Sequence, residues 1–293
     1  MDLSSRCHRP LTPDTGPVRL TAVSIAPIVT AGQLEGLIGS AVICDVRWYL
    51  DGSSGHEAYL RGHIPGAVFV DLDNDLAASP GPGDGRHPLP SPEAFAASLG
   101  LLGIGPDDTV VVYDDSGGLS AGRMVWMLRV LGQSAALLDG GLNAWTGALQ
   151  AETAVQGLVE CPVRPWPEAS FVEADDMDGA EVLLDARSAE RYRGDSEPMD
   201  SRPGHVPGAL NAPFSQNMLN GRFRSADDLA SHYGALGVAD ATDVVVYCGS
   251  GVSACHDLLA MEHSGLGRGR LYVGSWSQWS ATDRPAASGP EPG

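Results

Sequence analysis

Several short strings in the first half of this chain return, in the same order, in the second half. Asp45-Val46-Arg47 comes back as Asp185-Ala186-Arg187 after 140 positions, and Gly62-His63-Ile64-Pro65-Gly66-Ala67 as Gly204-His205-Val206-Pro207-Gly208-Ala209 after 142. Val110-Val111-Val112-Tyr113 is echoed by Val244-Val245-Val246-Tyr247 after 134, and Gly140 and Trp145 recur at that same offset as Gly274 and Trp279. Ordered matches at near-constant spacing point to two homologous domains in tandem, and 293 residues leave room for two cores of ordinary size.

Within each half, short β-branched runs alternate with helical segments. The first half has such runs at 41–46, 68–70, 109–113 and 135–138, and each has a counterpart in the second. Strands alternating with helices predict an α/β unit: a parallel sheet flanked by helices on both faces. The expected division is a first domain over 20–150, a linker over 151–170 and a second domain over 171–285. The linker carries three prolines in six positions, at Pro162, Pro165 and Pro167. Residues 1–19 and 286–293, rich in Pro, Gly, Ser and Thr, are expected to be tails.

Composition narrows the function classes. With 18 basic against 37 acidic residues and a net charge of −19, the chain would be repelled by nucleic acid and by an anionic membrane surface. Five scattered cysteines (7, 44, 161, 248, 255) form no disulfide framework and no zinc ligand set. No membrane span and no signal peptide is expected, so a reduced cytoplasm is the expected compartment.

The most chemical stretch is Tyr247-Cys248-Gly249-Ser250-Gly251-Val252-Ser253. A buried strand ends at a thiol, two glycines bracket a serine, and a helical segment begins at Ala254. Backbone N–H groups and a helix N-terminus around a sulfur favour thiolate over thiol and can hold an anion bound to it. A cysteine simply packed at a strand end would not need two glycines beside it, because glycine costs backbone entropy and packs poorly. Cys248 therefore reads as a nucleophile. The first repeat supplies a control: at offset 134 the matching position is Asp114, so one site, in the second domain, is expected.

These pieces together, with Leu138-Asp139-Gly140-Gly141 and Gly274-Ser275-Trp276-Ser277-Gln278-Trp279, resemble the tandem-domain rhodaneses over residues 40–280. The resemblance implies two rhodanese-like domains and a sulfurtransferase that needs no cofactor and no metal. The Cys248 thiolate would take a sulfane sulfur from a small-molecule donor, form a persulfide, and pass the sulfur to a thiol, cyanide or a thioredoxin-like acceptor. Gly249, Gly251, Val252 and Ser253 would complete the cradle.

Thiosulfate-preferring members carry two basic residues after the cysteine, whereas Gly249-Ser250 is similar to the 3-mercaptopyruvate sulfurtransferases. By the same resemblance Arg191 would bind the donor carboxylate. A second arginine would follow Glu197-Pro198, but Met199 stands there and Arg202 is the nearest replacement. Thiosulfate:cyanide transfer therefore remains an alternative. His63 matches a first-domain histidine that would relay a proton with Ser250, with Asp51 or Glu57 near enough in sequence to assist. His205 holds the same place in the other repeat, which favours a turn-building role for both. Arg187, echoed by Arg47, reads as structural, and Cys255 as a packed thiol.

Two other classes are weighed. A cysteine phosphatase needs an arginine six positions after the nucleophile to chelate phosphate, and Ala254 stands there. A non-catalytic rhodanese-like regulatory or binding module would be expected to lose its cysteine, as happened at Asp114, whereas Cys248 is kept.

Overall fold

The computed structural model describes residues 25–154 and 157–293. The tail over 1–19, Cys7 and the first positions of the expected first domain, 20–24, lie outside the described residues. In the first half, strands β1 (Ile28–Val29), β2 (Ala41–Asp45), β3 (Val68–Phe69), β4 (Thr109–Tyr113) and β5 (Ala135–Leu138) form a sheet in the order β1-β5-β4-β2-β3, every pairing parallel. In the second, β6 (Phe171–Val172), β7 (Val182–Asp185), β8 (Leu210–Asn211), β11 (Val244–Tyr247) and β12 (Arg270–Tyr272) repeat that order as β6-β12-β11-β7-β8, again all parallel. A small antiparallel hairpin, β9 (Met218–Leu219) with β10 (Arg222–Phe223), is inserted in the second half.

Alternation along the central strands organises the core. Val110 and Val112, like Val244 and Val246, point into one large hydrophobic cluster shared by the two halves. Val111 and Tyr113 face a second cluster on the far side of their sheet, and Val245 and Tyr247 a third. The shared cluster is closed by two equivalent helices, Ala121–Val130 and Ala254–His263, which pack against each other. Each is buried over most of its length because it meets its own sheet on one side and its counterpart on the other. The Arg129–Glu262 ion pair, 2.6 Å, ties the two together.

The repeated strings build the frame of each unit. Arg47 pairs with Asp45 and donates to the Gly62 carbonyl at 2.8 Å; Arg187 pairs with Asp185 and donates to Gly204 at 2.7 Å. The Tyr113 hydroxyl accepts from Ile64 N, as Tyr247 accepts from Val206 N. Residues 286–293, expected as a loose tail, are instead tied to this frame: His205 N donates to Ala287 O at 2.9 Å and Gly208 N to Pro292 O at 2.7 Å.

Candidate active site

Cys248 follows β11 directly, at the carboxyl end of a central strand, and is 1% exposed. The Gly251 N–H donates to its Sγ at 3.2 Å, and its own N–H donates to Ser275 Oγ at 3.1 Å. Ser275 adopts a left-handed backbone, φ 52°, where the first repeat has Gly141 at φ 57°. A side chain in that region costs about 1 kcal/mol; here the hydroxyl gained by it braces the nucleophile's amide, and strain of this kind collects at functional sites. Gly251 is itself left-handed, φ 76°, and a Cβ there would lie 2.6 Å from the Val273 carbonyl, so only glycine lets the loop pass.

The first repeat shows what this loop can hold. The Asp114 carboxylate accepts from the N–H groups of Ser116, Gly118, Ser120 and Ala121 at 2.8–3.0 Å, and from the Ser120 hydroxyl at 3.2 Å. Burial still pushes its pKa up, against those bonds. The first-domain loop is thus an anion cradle filled by its own side chain; the second domain places a sulfur at the equivalent point.

Around Cys248 opens a cleft of about 310 Å³, lined from both domains. Gly249, Ser250, Val252, Ser253 and Arg191 lie on its wall, together with Arg86, His87 and Met199. Two guanidiniums converge over Gly249: an added Cβ there would sit 3.0 Å from Arg86 Nη2 and 3.2 Å from Arg191 Nη1. Both are held by acids. Arg86 pairs with Asp200, and Arg191 donates to Glu197 at 2.8 Å and to Asp200 at 2.9 Å. Burial raises Asp200, partly offset by Arg86; at Glu197 burial is outweighed by the Arg191 hydrogen bond, the Met199 amide and Arg187, and its pKa falls.

Ser250 Oγ lies 2.8 Å from His87 Nδ1, and His87 Nε2 lies 3.2 Å from Asp73 Oδ1. The Trp48 indole N–H donates to the other Asp73 oxygen at 2.9 Å. With the carboxylate on the Nε2 side, the neutral ring carries its proton there and leaves Nδ1 to accept from Ser250. The ring is held neutral: burial first, then the charges of Arg123 and Arg86, push its pKa down to about 4 against the pull of Asp73.

Two expected site residues lie elsewhere. His63 is outside the cleft: its Nδ1 is bound to Tyr59 O at 2.8 Å and its ring stacks on Tyr59 at 3.8 Å. His205 does the same with Tyr192 at 2.8 and 3.8 Å, so the shared histidine builds a turn in both halves. Asp51 is occupied with Ser53. Arg202 spends its guanidinium on the carbonyls of Trp279, Ser280 and Arg284 and is also outside the cleft. The arginine that joins Arg191 over Gly249 is Arg86, from the other domain. Arg187 also lines the cleft, with its guanidinium paired to Asp185 and Glu197 and lying over Trp276 at 4.7 Å. Cys255 is buried, bound to Gly251 O, with its thiol pushed far up by burial.

The family model for the rhodanese-like domain matches twice, over residues 30–148 and 170–282. The chain belongs to the tandem-domain rhodanese sulfurtransferases. Among these, the Escherichia coli 3-mercaptopyruvate sulfurtransferase is 37% identical, over 77% of this chain and 83% of its own length. The human 3-mercaptopyruvate sulfurtransferase is 34% identical, over 83% and 86%. A Mycobacterium tuberculosis relative, provisionally named a thiosulfate sulfurtransferase, is 39% identical over 89% and 97%. Of solved structures, the 3-mercaptopyruvate sulfurtransferase of Leishmania major superposes with a TM-score of 0.77 at 29% identity, over 89% of this chain and 75% of that one. This rhodanese-family enzyme therefore acts on small-molecule sulfur donors and acceptors, and no helix among its described residues is long and apolar enough to cross a membrane.

Proposed function

We propose that this sulfurtransferase takes its sulfur from 3-mercaptopyruvate, holds it as a Cys248 persulfide, and delivers it to a thiol, cyanide or a thioredoxin-like protein in a reducing compartment such as the cytoplasm. The observation that carries the donor is the pair Arg86 and Arg191 over Gly249, a fork that suits one carboxylate. The acids Glu197 and Asp200 already offset those two charges, so the cleft offers a dianion such as thiosulfate little net positive potential.

In the first half-reaction the Cys248 thiolate attacks the donor sulfur. The S–S bond forms as the C–S bond breaks, and the bonding pair passes to the donor's methylene carbon as the enolate of pyruvate. The Ser250 hydroxyl is placed to hydrogen-bond the enolate oxygen, with neutral His87 as the group that takes and returns the thiol proton to that carbon. Pyruvate leaves and the persulfide stays in the cradle. In the second, an acceptor nucleophile attacks the outer sulfur and the Cys248 thiolate departs. Two displacements at one sulfur give ping-pong kinetics. Residues 20–150, with Asp114 where the other repeat has its catalytic cysteine, serve as wall and proton relay.

Side-by-side kcat/KM values for 3-mercaptopyruvate and thiosulfate test the donor. A clear preference for 3-mercaptopyruvate is expected; equal or better use of thiosulfate would overturn the reading.

A further inference from the structure

Arg123 lies on the helix Ala121–Val130 of the domain without the catalytic cysteine and is wholly buried. Its Nε donates to Leu76 O at 3.0 Å, its Nη1 to Gly251 O at 2.9 Å, and its Nη2 to His87 O at 2.8 Å and Pro88 O at 3.2 Å. Among the described residues it forms no ion pair with a carboxylate; all these partners are carbonyls. Burying a guanidinium without a counter-charge is costly, and a chain does not keep such a group for packing alone when a methionine would fill the space. At offset 134 the other repeat has Asp257, so the arginine is no part of the shared frame.

The partners explain it. Gly251 is fixed at both ends, its N–H on the Cys248 sulfur and its carbonyl on Arg123. The other end of the same guanidinium holds the backbone of His87, whose ring meets Ser250 from across the domain boundary. We propose that Arg123 is a positioning residue of this site, locking the His87 loop of one domain in register with the Cys248 loop of the other. The inference rests on the sulfur-transfer mechanism above for its kinetic consequence, but not for its structural one.

A second consequence concerns protonation. The charged groups facing the His87 ring are Asp73 from its own domain, Arg86 beside it, and Arg123 beneath it; Ser250 Oγ and the edge of Trp48 complete its surroundings. Burial is the main cause of its low pKa, and Arg123 is the next, so taking away that positive charge makes the ring easier to protonate.

Two variants and two readouts test this. Arg123→Met removes both charge and fork; Arg123→Lys keeps the charge but cannot span the carbonyls of two loops. NMR titration of the His87 ring needs no turnover, so it remains decisive if the donor reading fails. We expect Arg123→Met to move that titration upward by roughly one unit, about a tenfold change in proton concentration at half-titration. Arg123→Lys should leave the titration low yet lower kcat about tenfold or more, with KM changed less than threefold. If Arg123→Met does not fold, the Arg123→Lys kinetics decide. An unmoved His87 titration in a folded Arg123→Met, or turnover of Arg123→Lys within twofold of the parent, overturns the proposal.

Discussion

The loops after the two central strands, one starting at Asp114 and the other at Cys248, descend from the same turn and present backbone donors to the same point. In the first, a carboxylate grown from the loop itself occupies that point and takes five hydrogen bonds. In the second, a sulfur stands there beside an open cleft, with two arginines, a serine and a histidine facing it. The difference teaches that the fold supplies the cradle, while the chemistry depends on what the neighbouring domain brings. The first-domain loop is met by the His256 ring, bound to Gly117 O at 3.1 Å and stacked on Phe223.

The sharpest way to break the comparison is to swap the focal atoms. Cys248→Ser should lower sulfur transfer by roughly 10⁴-fold or more, and adding Asp114→Cys to it should restore nothing, since that thiol would face no donor fork and no relay. Cyanide-dependent thiocyanate formation by the double variant would show that the cradle alone suffices.

His87→Gln comes next. Losing the proton relay should lower kcat by roughly 10²-fold. Because burial pushes the parent ring's pKa down to about 4, it is neutral through the physiological range, and its own protonation should lower kcat/KM only as pH drops through that value. An acid limb near the ordinary histidine value would contradict the burial argument.

The fork is weaker but more specific. Arg86→Ala and Arg191→Ala should each cost about ten- to a hundredfold in kcat/KM for 3-mercaptopyruvate, the range of one charge-assisted hydrogen bond, roughly 1.5–3 kcal/mol. Gly249→Ala should raise KM severalfold, because the new methyl crowds both guanidiniums. If only thiosulfate kinetics respond, the fork serves a different donor.

The smallest effect on chemistry, though not on stability, belongs to Asp114. Asp114→Ala leaves the buried amides of Gly118, Ser120 and Ala121 and the less buried amide of Ser116 without their acceptor, while the Ser120 hydroxyl keeps the Val46 carbonyl at 2.6 Å, and should destabilise the chain by about 2–4 kcal/mol in denaturant unfolding. Turnover per folded molecule should change less than twofold. A matching loss of turnover would mean that the silent loop reaches the site.

What was legible in the sequence follows the same line. The repeat, the parallel sheets and the Cys248 loop could be read because their signals are local: β-branched runs, glycine spacing, and an echo at fixed offset. Arg86 and His87 could not, since they sit in a Gly- and Pro-rich first-domain segment with no periodicity, nor could Asp73, on the short helix Leu72–Asp75; none has an echo, and they become a site only when the domains pack. That very lack of an echo was the available signal. His63 misled because it resembled a site residue, yet His205 repeats its every contact, and a feature present in both copies belongs to the frame. Arg202 misled because sequence nearness to Met199 does not tell where a guanidinium goes; three carbonyls had claimed it.

The most direct measurement of the account is peptide mass spectrometry of the protein treated with 3-mercaptopyruvate and no acceptor. The account predicts one added sulfur on the peptide that holds Cys248, gained as pyruvate appears in equal amount and lost on addition of a thiol. Sulfur carried on Cys255 or another thiol, or a Cys248→Ser variant that still takes up one sulfur per chain, would contradict it.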